Sequence, residues 1–577
     1  MRRLIAQSAR RHWPAMLSAA FAASVYRAWL APGLLIGDDQ YRFSDALTAT
    51  FFPWRNAWDG SVLFGASSAY SSPAYPLWSI VGLLAHVGAG FSVAERVVWF
   101  WPLLVLLVVA PYALAYRLTR SVWAGALAAA VFSVNTWVVA LVQRGHIGSL
   151  VGYALMPLVL LALLRLMRRP TFPYSVGLGA LLAAECLYDV RYAYVAIVCC
   201  AAFAVGPVFA MLRDGRRERL RALALGLASS AIAAVVFALY WILPQIAAPA
   251  SLPAGYDSVT DFLASSSFES LGAAVSLYMP FYHYVQGADP FATTPVEWPF
   301  MLLPLVVVAS LVAARRRPYA LGVAIVGVTG VVIVSGPASA FGALVTAAFA
   351  HVAGMHLFRD ISKFTSMIAL AYAASLALGF ARLAAFVRAR RLANARMLAP
   401  AVAIGAIVLY AASMHDAYDP ARLSNFAVTT LAADDVAIQR FLDDQPGFFR
   451  TVVFPTWRPQ LVGTSEHPLV SADYLLENAA PNGGLADLFE DRDSLLERWE
   501  SPVIPGLLAA AGVRYVVVID PPIGGIYEKY FYAIQHAHVL DAMRAQGWLH
   551  EIARFGTYDV FAVRDASARR ISMAASP

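Results

Sequence analysis

The chain has 577 residues, of which 60% are hydrophobic and only 14% are charged, and its mean hydropathy is +0.62. Soluble globular proteins carry about 25% charged and about 45–50% apolar residues, so a water-soluble globule is excluded. Disorder requires low hydrophobicity and is excluded as well. The composition is that of a polytopic membrane protein.

Charge divides the chain at about residue 415. Residues 1–415 hold 30 Lys and Arg against 15 Asp and Glu, a balance of +15, whereas residues 416–577 hold 13 against 21, a balance of −8. The positive charges lie in short segments between apolar runs. Lys and Arg are enriched in the cytoplasmic loops of membrane proteins, so this pattern indicates membrane topology rather than a preference for nucleic acid. We therefore predict a membrane domain over 1–415, a soluble domain over 416–577, and no nucleic-acid partner.

Eleven apolar runs approach the roughly 20 residues that a spanning helix needs. The first follows Arg2, Arg3, Arg10 and Arg11 and is long enough to span, so we predict an uncleaved first helix rather than a signal peptide. The predicted spans are 14–36, 97–116, 122–142, 148–167, 173–188, 192–212, 222–247, 298–314, 319–335, 364–387 and 397–415. Runs 76–90 and 339–354 are predicted to be interfacial or re-entrant; thirteen spans would result if both cross.

Arginine and lysine placement fixes the predicted orientation. With the N-terminus inside, the inner segments contain 22 Arg, the short outer segments contain seven Arg and Lys, and the outer loop 248–297 contains neither. Twelve of the 15 acidic residues before residue 416 lie in outer segments. One of these segments is the first outer loop, 37–96. Any chemistry is therefore expected at the outer face.

The region from residue 416 has the composition of a soluble domain. Helices are predicted near 433–442, 505–511 and 536–545, and β-branched and aromatic runs predict strands at 450–454, 513–519 and 557–563. The sequence predicts a small extracytoplasmic α/β domain at the C-terminus of an all-α membrane domain.

The first outer loop opens with Asp38 and Asp39 and continues through an aromatic- and Gly-rich stretch to Tyr75 and Pro76. A carboxylate at this position is suited to accept a hydroxyl proton as a general base, although two acidic residues after a span also end a helix in water without any chemistry. We interpret the loop as a candidate sugar site.

Further polar residues follow at the same predicted face. His146 lies between two spans, Glu185 is four residues before Asp189 and would share a helix face with it, and Arg191 follows. A Glu185–Arg clamp between helices is an alternative reading of Glu185, and Arg27 either snorkels outward or pairs with it.

A late motif enters the tenth predicted span. Arg359 and Lys363 lie in the stretch FRDISKF, at a helix start where cations can hold a phosphate. A surface pair of Arg359 with Asp360, together with a snorkelling lysine, explains the same residues without a ligand. Histidines and cysteines show no metal-ligand spacing, and no P-loop, GxSxG, HExxH or CxxC pattern is present.

Taken together, these motifs resemble the GT-C membrane glycosyltransferases, in particular the membrane region of the mycobacterial arabinofuranosyltransferases. The resemblance rests on four stretches, namely PG…GDD after the first span, the aromatic loop to Tyr75-Pro76, ERVVW at 95–99 and FRDISKF at 358–364. It covers about residues 10–415 and is looser over the C-terminal domain.

The resemblance implies a bacterial enzyme of the cytoplasmic membrane with a polyprenyl-phosphate sugar as donor and a glycan, lipid or protein as acceptor. It implies that Asp38 or Asp39 is the catalytic base, that Arg359 and Lys363 stabilise the departing phosphate, and that His146, Asp189 and Arg191 help to bind substrate. Some relatives use a divalent metal. A non-enzymatic transporter or scaffold for lipid-linked sugars is the alternative, although charges gathered at one face favour surface chemistry over a path through the bilayer.

Overall fold

The structure is a computed structural model that describes most of the chain. The described residues are 12–35, 48–49, 51–52, 58–59, 66–67, 72–143, 145–247, 271–278, 296, 298–317, 319–337, 339–358, 361–390, 395–418, 428–429, 433–454, 467, 469–471, 499–519 and 536–564.

The described residues before residue 416 are mostly helical. Their helices are α1 (Pro14–Val25), α2 (Tyr75–His86), α3 (Phe91–Glu95), α4 (Trp101–Thr119), α5 (Val122–Ser133), α6 (Thr136–Gln143), α7 (Ile147–Arg168), α8 (Phe172–Tyr188), α9 (Val190–Arg213), α10 (Arg217–Ala247), α11 (Leu271–Ser276), α12 (Trp298–Ala314), α13 (Ala320–Val334), α14 (Gly342–His351), α15 (Thr365–Ala389) and α16 (Ala395–Ser413).

Six helical stretches within the described residues are long and apolar enough to cross a membrane. They are Phe91–Thr119, Val122–Gln143, Ile147–Arg168, Val190–Arg213, Arg217–Ile246 and Ile361–Ala389. Six more apolar helices have 10–17 residues. The chain is a multi-pass membrane protein, and the count of eleven spans stays a prediction.

The first predicted span differs from the structure. Helix α1 ends at Val25, and a 3-10 turn follows over Arg27–Leu30. The Tyr26 ring stacks on Trp29 at 4.4 Å, and the Tyr26 hydroxyl donates to the Ser133 carbonyl at 2.7 Å. Because a 3-10 turn places residues i and i+3 above one another, this stacked pair favours the tighter turn.

The predicted outer loop 37–96 is partly helical. Helix α2 has 12 residues, which rise about 18 Å and fall short of the roughly 30 Å hydrocarbon core. The next helical stretch begins at Phe91, before the predicted span at 97, and a π-helical turn over Arg96–Phe100 joins α3 to α4. Glu95 and Arg96 therefore lie within a buried helix and not in a loop.

Helix α7 lies at the centre of the membrane domain. It packs against α4, α8 and α9, and nearly all of its side chains are buried. Its neighbour α5 is followed by a break at Val134, after which the Asn135 side chain accepts from the Val138 amide at 3.1 Å and starts α6. The predicted span 122–142 is thus two helices joined by an asparagine cap.

The C-terminal region forms a five-stranded sheet with helices on both faces. It comprises α17 (Ala433–Asp443), β5 (Arg450–Phe454), β6 (Leu469–Ser471), α18 (Ile504–Ala510), β7 (Val513–Ile519), α19 (His536–Ala545), β8 (Leu549–Phe555) and β9 (Tyr558–Val563). The strand order is β6-β5-β7-β9-β8, with β5 parallel to β6 and β7, and β9 antiparallel to β7 and β8. The three predicted helices and three predicted strands are confirmed within one or two residues.

A short β-pair links the two regions of the chain. Strand β1 (Leu34–Leu35) pairs antiparallel with β4 (Val428–Thr429), in the register Leu34 to Thr429 and Leu35 to Val428. Strands β2 (Trp58–Asp59) and β3 (Ala66–Ser67) form a separate antiparallel pair. Leu35 is buried, and β1 ends three residues before Asp38. The residues just before the first outer loop are therefore bonded to the segment that leads into the C-terminal sheet.

Candidate functional site

The structure describes four of the seven residues that the sequence singled out for a site. His146, Asp189, Arg191 and Lys363 are described, whereas Asp38, Asp39 and Arg359 lie outside the described residues. The four described residues belong to three elements, namely the start of α7, the junction of α8 and α9, and the turn that precedes α15.

Asp189 occupies a hinge between two helices. Its backbone is extended, at φ −161° and ψ 111°, because α8 ends at Tyr188 and α9 begins at Val190. The Asp189 side chain accepts from the Arg191 backbone amide at 3.0 Å and caps α9. The prediction that Glu185 and Asp189 share a helix face is wrong, since Asp189 is not helical.

Both oxygens of Asp189 are engaged. The Arg191 guanidinium donates to Oδ1 through Nε at 2.8 Å and to Oδ2 through Nη2 at 3.0 Å, and the Ser149 hydroxyl donates to Oδ2 at 2.6 Å. This is a bidentate arginine–carboxylate pair, which fixes the plane of the guanidinium.

The pKa of Asp189 follows from these contacts. Burial alone raises the pKa, but the charges of Arg191 and Lys363 and the hydrogen bonds from Arg191 and Ser149 outweigh burial and lower it to about 2. The carboxylate therefore stays ionised at physiological pH. A general base needs a pKa near the working pH, so Asp189 is suited to orient Arg191 rather than to accept a proton.

Lys363 reaches this cluster through aromatic packing. The Phe358 ring lies 5.4 Å from Tyr194 on α9 and 4.8 Å from Phe364, which brings the 3-10 turn Ile361–Phe364 against α9. Lys363 is 2% exposed, and its charge acts on Asp189. A buried ammonium is thus held beside the Asp189–Arg191 pair, and we call Ser149, Asp189, Arg191 and Lys363 the hinge cluster.

His146 lies at the same end of α7. Gly145 adopts φ +71°, which turns the chain, and the backbone of His146 precedes the helix that begins at Ile147. Ser149 follows three residues later, and Gly148 packs against the Tyr188 carbonyl, where a Cβ would come within 3.0 Å. The side chain of His146 is half-buried beside the hinge cluster.

Glu185 lies one helical turn below Asp189. It is fully buried, and neither of its carboxylate oxygens has a hydrogen-bond partner among the described residues. Arg27 instead donates to the Ser24 carbonyl at 3.3 Å and is exposed, which supports the snorkelling interpretation of Arg27.

Sequence reasoning did not select two groups at this end of the bundle. Ser149 was missed because a lone serine in a helix carries no signal until its partner Asp189 is known. Arg96 is 4% exposed, its guanidinium lies 3.5 Å from the Glu95 carboxylate, and it begins a π-helical turn, a feature frequent at functional sites. The Tyr188 hydroxyl donates to the Val98 carbonyl at 3.3 Å and connects this turn to the hinge.

Among the described residues, no three His, Cys, Asp or Glu side chains converge as a metal site. The described part of the site offers a buried ammonium, a partly exposed guanidinium and one satisfied carboxylate. That set of groups suits an anion better than a cation.

Replacing Asp189 by asparagine is expected to lower the free energy of unfolding by about 3 kcal/mol, because one pKa unit corresponds to about 1.4 kcal/mol. The folded pKa of about 2 lies below the unfolded value of about 3.9. The carboxylate therefore stabilises the fold at pH values above 4, and this contribution is lost as the pH falls from 4 to 2. Unfolding in detergent should give the same difference at pH 5 and pH 8.

Asp214→Asn is the control for this measurement. The Asp214 side chain is 37% exposed and pairs with Arg216 at 3.3 Å, so its loss should change stability by less than about 0.5 kcal/mol. Equal losses for the two variants would contradict the buried pairing of Asp189 with Arg191.

The chain was compared with known proteins. No protein-family model and no curated sequence matches it. The arabinofuranosyltransferase AftD from Mycobacteria superposes with a TM-score of 0.57 at 15% identity over 98% of this chain and 42% of that one. The Archaeoglobus fulgidus oligosaccharyltransferase in complex with Zn and sulfate gives 0.51 at 13% identity, over 94% and 72%. ArnT from Cupriavidus metallidurans, bound to undecaprenyl phosphate, gives 0.50 at 14% identity, over 97% and 99%.

All three are GT-C glycosyltransferases, so the chain has the GT-C fold, and the predicted resemblance is confirmed at the level of fold. The chain spans 42% of the length of the arabinofuranosyltransferase that it matches.

Proposed function

We propose that this protein is a membrane glycosyltransferase that moves a sugar from a polyprenyl-phosphate donor to an acceptor at the outer face of the bacterial cytoplasmic membrane. The hinge cluster carries the proposal, because a GT-C fold here places a buried lysine and an oriented arginine together at one end of the bundle. The bound undecaprenyl phosphate of ArnT supports a donor of this class. The acceptor is a cell-envelope glycan, a lipid or a protein.

Phosphate recognition is the proposed task of the hinge cluster. Arg191 and Lys363 lie beside the ionised carboxylate of Asp189, and both of their charges act on it. Both cations are fixed in place and the Arg191 guanidinium is partly exposed, and this arrangement suits the phosphate of the donor. Arg359, four residues before Lys363, and His146 are proposed as further ligands.

The proposed reaction is a substitution at the anomeric carbon. The acceptor oxygen attacks that carbon and loses its proton to Asp38 or Asp39. The bond between the anomeric carbon and the phosphate oxygen breaks, and its electron pair leaves with polyprenyl phosphate. Negative charge grows on the phosphate, and Lys363 and Arg191 stabilise it as fixed cations that need no reorganisation.

Reconstituted transfer tests this proposal. The full chain in proteoliposomes is given a panel of radiolabelled polyprenyl-phosphate sugars with candidate acceptors, and each assay is repeated without acceptor. Label is expected to pass from one donor into an acceptor only when both are present. Saturable donor binding without transfer to any acceptor would overturn the proposal in favour of a carrier or scaffold.

A further inference from the structure

Arginines converge at the end of the bundle opposite the hinge cluster. Arg117 lies in the last turn of α4, Arg165 and Arg168 lie in the last turn of α7, and Arg120 follows α4 with a left-handed φ of 62°. From Ser149 to Arg168 the α7 helix rises about 28 Å at 1.5 Å per residue, so the two clusters lie on opposite sides of the bundle. We call Arg117, Arg120, Arg165 and Arg168 the arginine cluster.

The arginine cluster lacks a protein counter-ion among the described residues. The charges that act on Arg117 are those of Arg168, Arg120 and Arg165 together with the Tyr319 phenol, and no carboxylate is among them. None of the four arginines forms a salt bridge within the part of the chain that the structure describes. Residues 1–11, which precede α1 in the sequence, contain four arginines and no acidic residue.

Neighbouring contacts hold the cluster together despite this repulsion. The Arg168 guanidinium donates to the Tyr319 hydroxyl through Nε at 3.4 Å and Nη2 at 3.3 Å. Arg219 at the start of α10 donates to the carbonyls of Met167 and Arg168 at 3.1 and 3.2 Å, which closes the end of α7. These contacts come from three separate segments and fix the position of like charges that would otherwise separate.

Aromatic side chains mark the depth of this end in the membrane. His12 lies 2.6 Å from the Tyr112 hydroxyl and packs edge-on against Tyr116, and Trp13 packs against Trp123 with ring centroids 5.1 Å apart. Tyrosine and tryptophan concentrate at the headgroup level of a bilayer. Tyr116 directly precedes Arg117, so the arginine cluster lies at the depth of lipid phosphates.

We propose that the arginine cluster binds the phosphate headgroup of an anionic phospholipid from the leaflet that borders this end of the bundle. The guanidinium groups supply bidentate donors for phosphate oxygens, and an anionic headgroup relieves the repulsion around Arg117. Basic pockets between spanning helices recognise anionic headgroups in this way. The site does not depend on the transferase activity proposed above.

The test measures lipid binding to the purified full chain by native mass spectrometry in detergent. Phosphatidylglycerol is titrated against phosphatidylcholine for the unmodified chain and for the double variant Arg165→Gln/Arg168→Gln. Both side chains are exposed, so the variant is expected to fold. Phosphatidylglycerol affinity should fall about tenfold or more in the variant, and phosphatidylcholine affinity should not change.

Arg388→Gln/Arg390→Gln is the matched control, because it removes two exposed arginines from the C-terminal end of another helix, α15. This control should change phosphatidylglycerol affinity less than twofold. An equal loss in the control would mean unspecific charge attraction and would overturn the site. Displacement of the lipid by inorganic phosphate would assign the site to free phosphate. An acidic protein that copurifies with the unmodified chain but not with the Arg165/Arg168 variant would assign the site to a protein partner. Either outcome would overturn the lipid site.

Discussion

Lys363→Gln is expected to lower kcat of the proposed sugar transfer by about 10²- to 10³-fold, with a smaller change in KM. Removing one preformed donor from a site where negative charge develops has an effect of this size. Lys363 is 2% exposed, so its ammonium acts where water screens it little. Because the leaving phosphate gains charge during the reaction, the transition state should lose more than the bound donor. The measurement is steady-state transfer in proteoliposomes.

Two further variants separate the charge of Lys363 from its packing. Lys363→Arg keeps a cation, so its kcat should be at least tenfold higher than that of Lys363→Gln. Arg390→Gln removes an exposed cation at the other end of the same helical stretch and should change kcat less than twofold. Unchanged transfer by Lys363→Gln, with normal yield of folded protein, would remove Lys363 from the phosphate site.

The sequence identified the cations of the hinge cluster but not their arrangement. Arg191 and Lys363 were selected because they are basic residues near predicted helix starts at the outer face, and the structure places both beside Asp189. The break at Asp189 was predicted, since the predicted spans 173–188 and 192–212 leave it between two helices, but its extended backbone and its cap on α9 were not. Ser149 needed the fold, since it lies 40 residues from its partner.

Fold prediction failed where tertiary contacts override local pattern. Strand β8 was missed because its exposed residues, including Glu551 and Arg554, break the apolar run expected of a strand. Strands β5 and β7 were found because they lie inside the sheet and are buried on both faces. The pairing of β1 with β4 joins residues almost 400 positions apart, and two-residue strands leave no sequence signal.

This pairing bears on the predicted base. Leu34 and Leu35 are hydrogen-bonded to the 428–429 segment, and Gly33 turns the chain just before them at φ +117°. The last described residues before Asp38 are therefore held by the segment that leads into the C-terminal sheet. We expect only one of the two adjacent aspartates to act as the base, because removal of the single acceptor proton needs one carboxylate.

Asp38→Asn and Asp39→Asn are accordingly expected to differ. The variant that removes the base should lose about 10²- to 10⁴-fold in kcat, and the other should lose less than about tenfold. Asparagine keeps the shape but cannot accept the acceptor proton, so donor binding should persist in both. The rise of kcat/KM with pH that reports ionisation of the base should disappear only in the inactive variant.

Asp45→Asn in the same outer loop serves as the control and should keep both the rate and the pH profile. Full activity of both single variants would exclude the pair as the base and would move the search to the other carboxylates of the outer face.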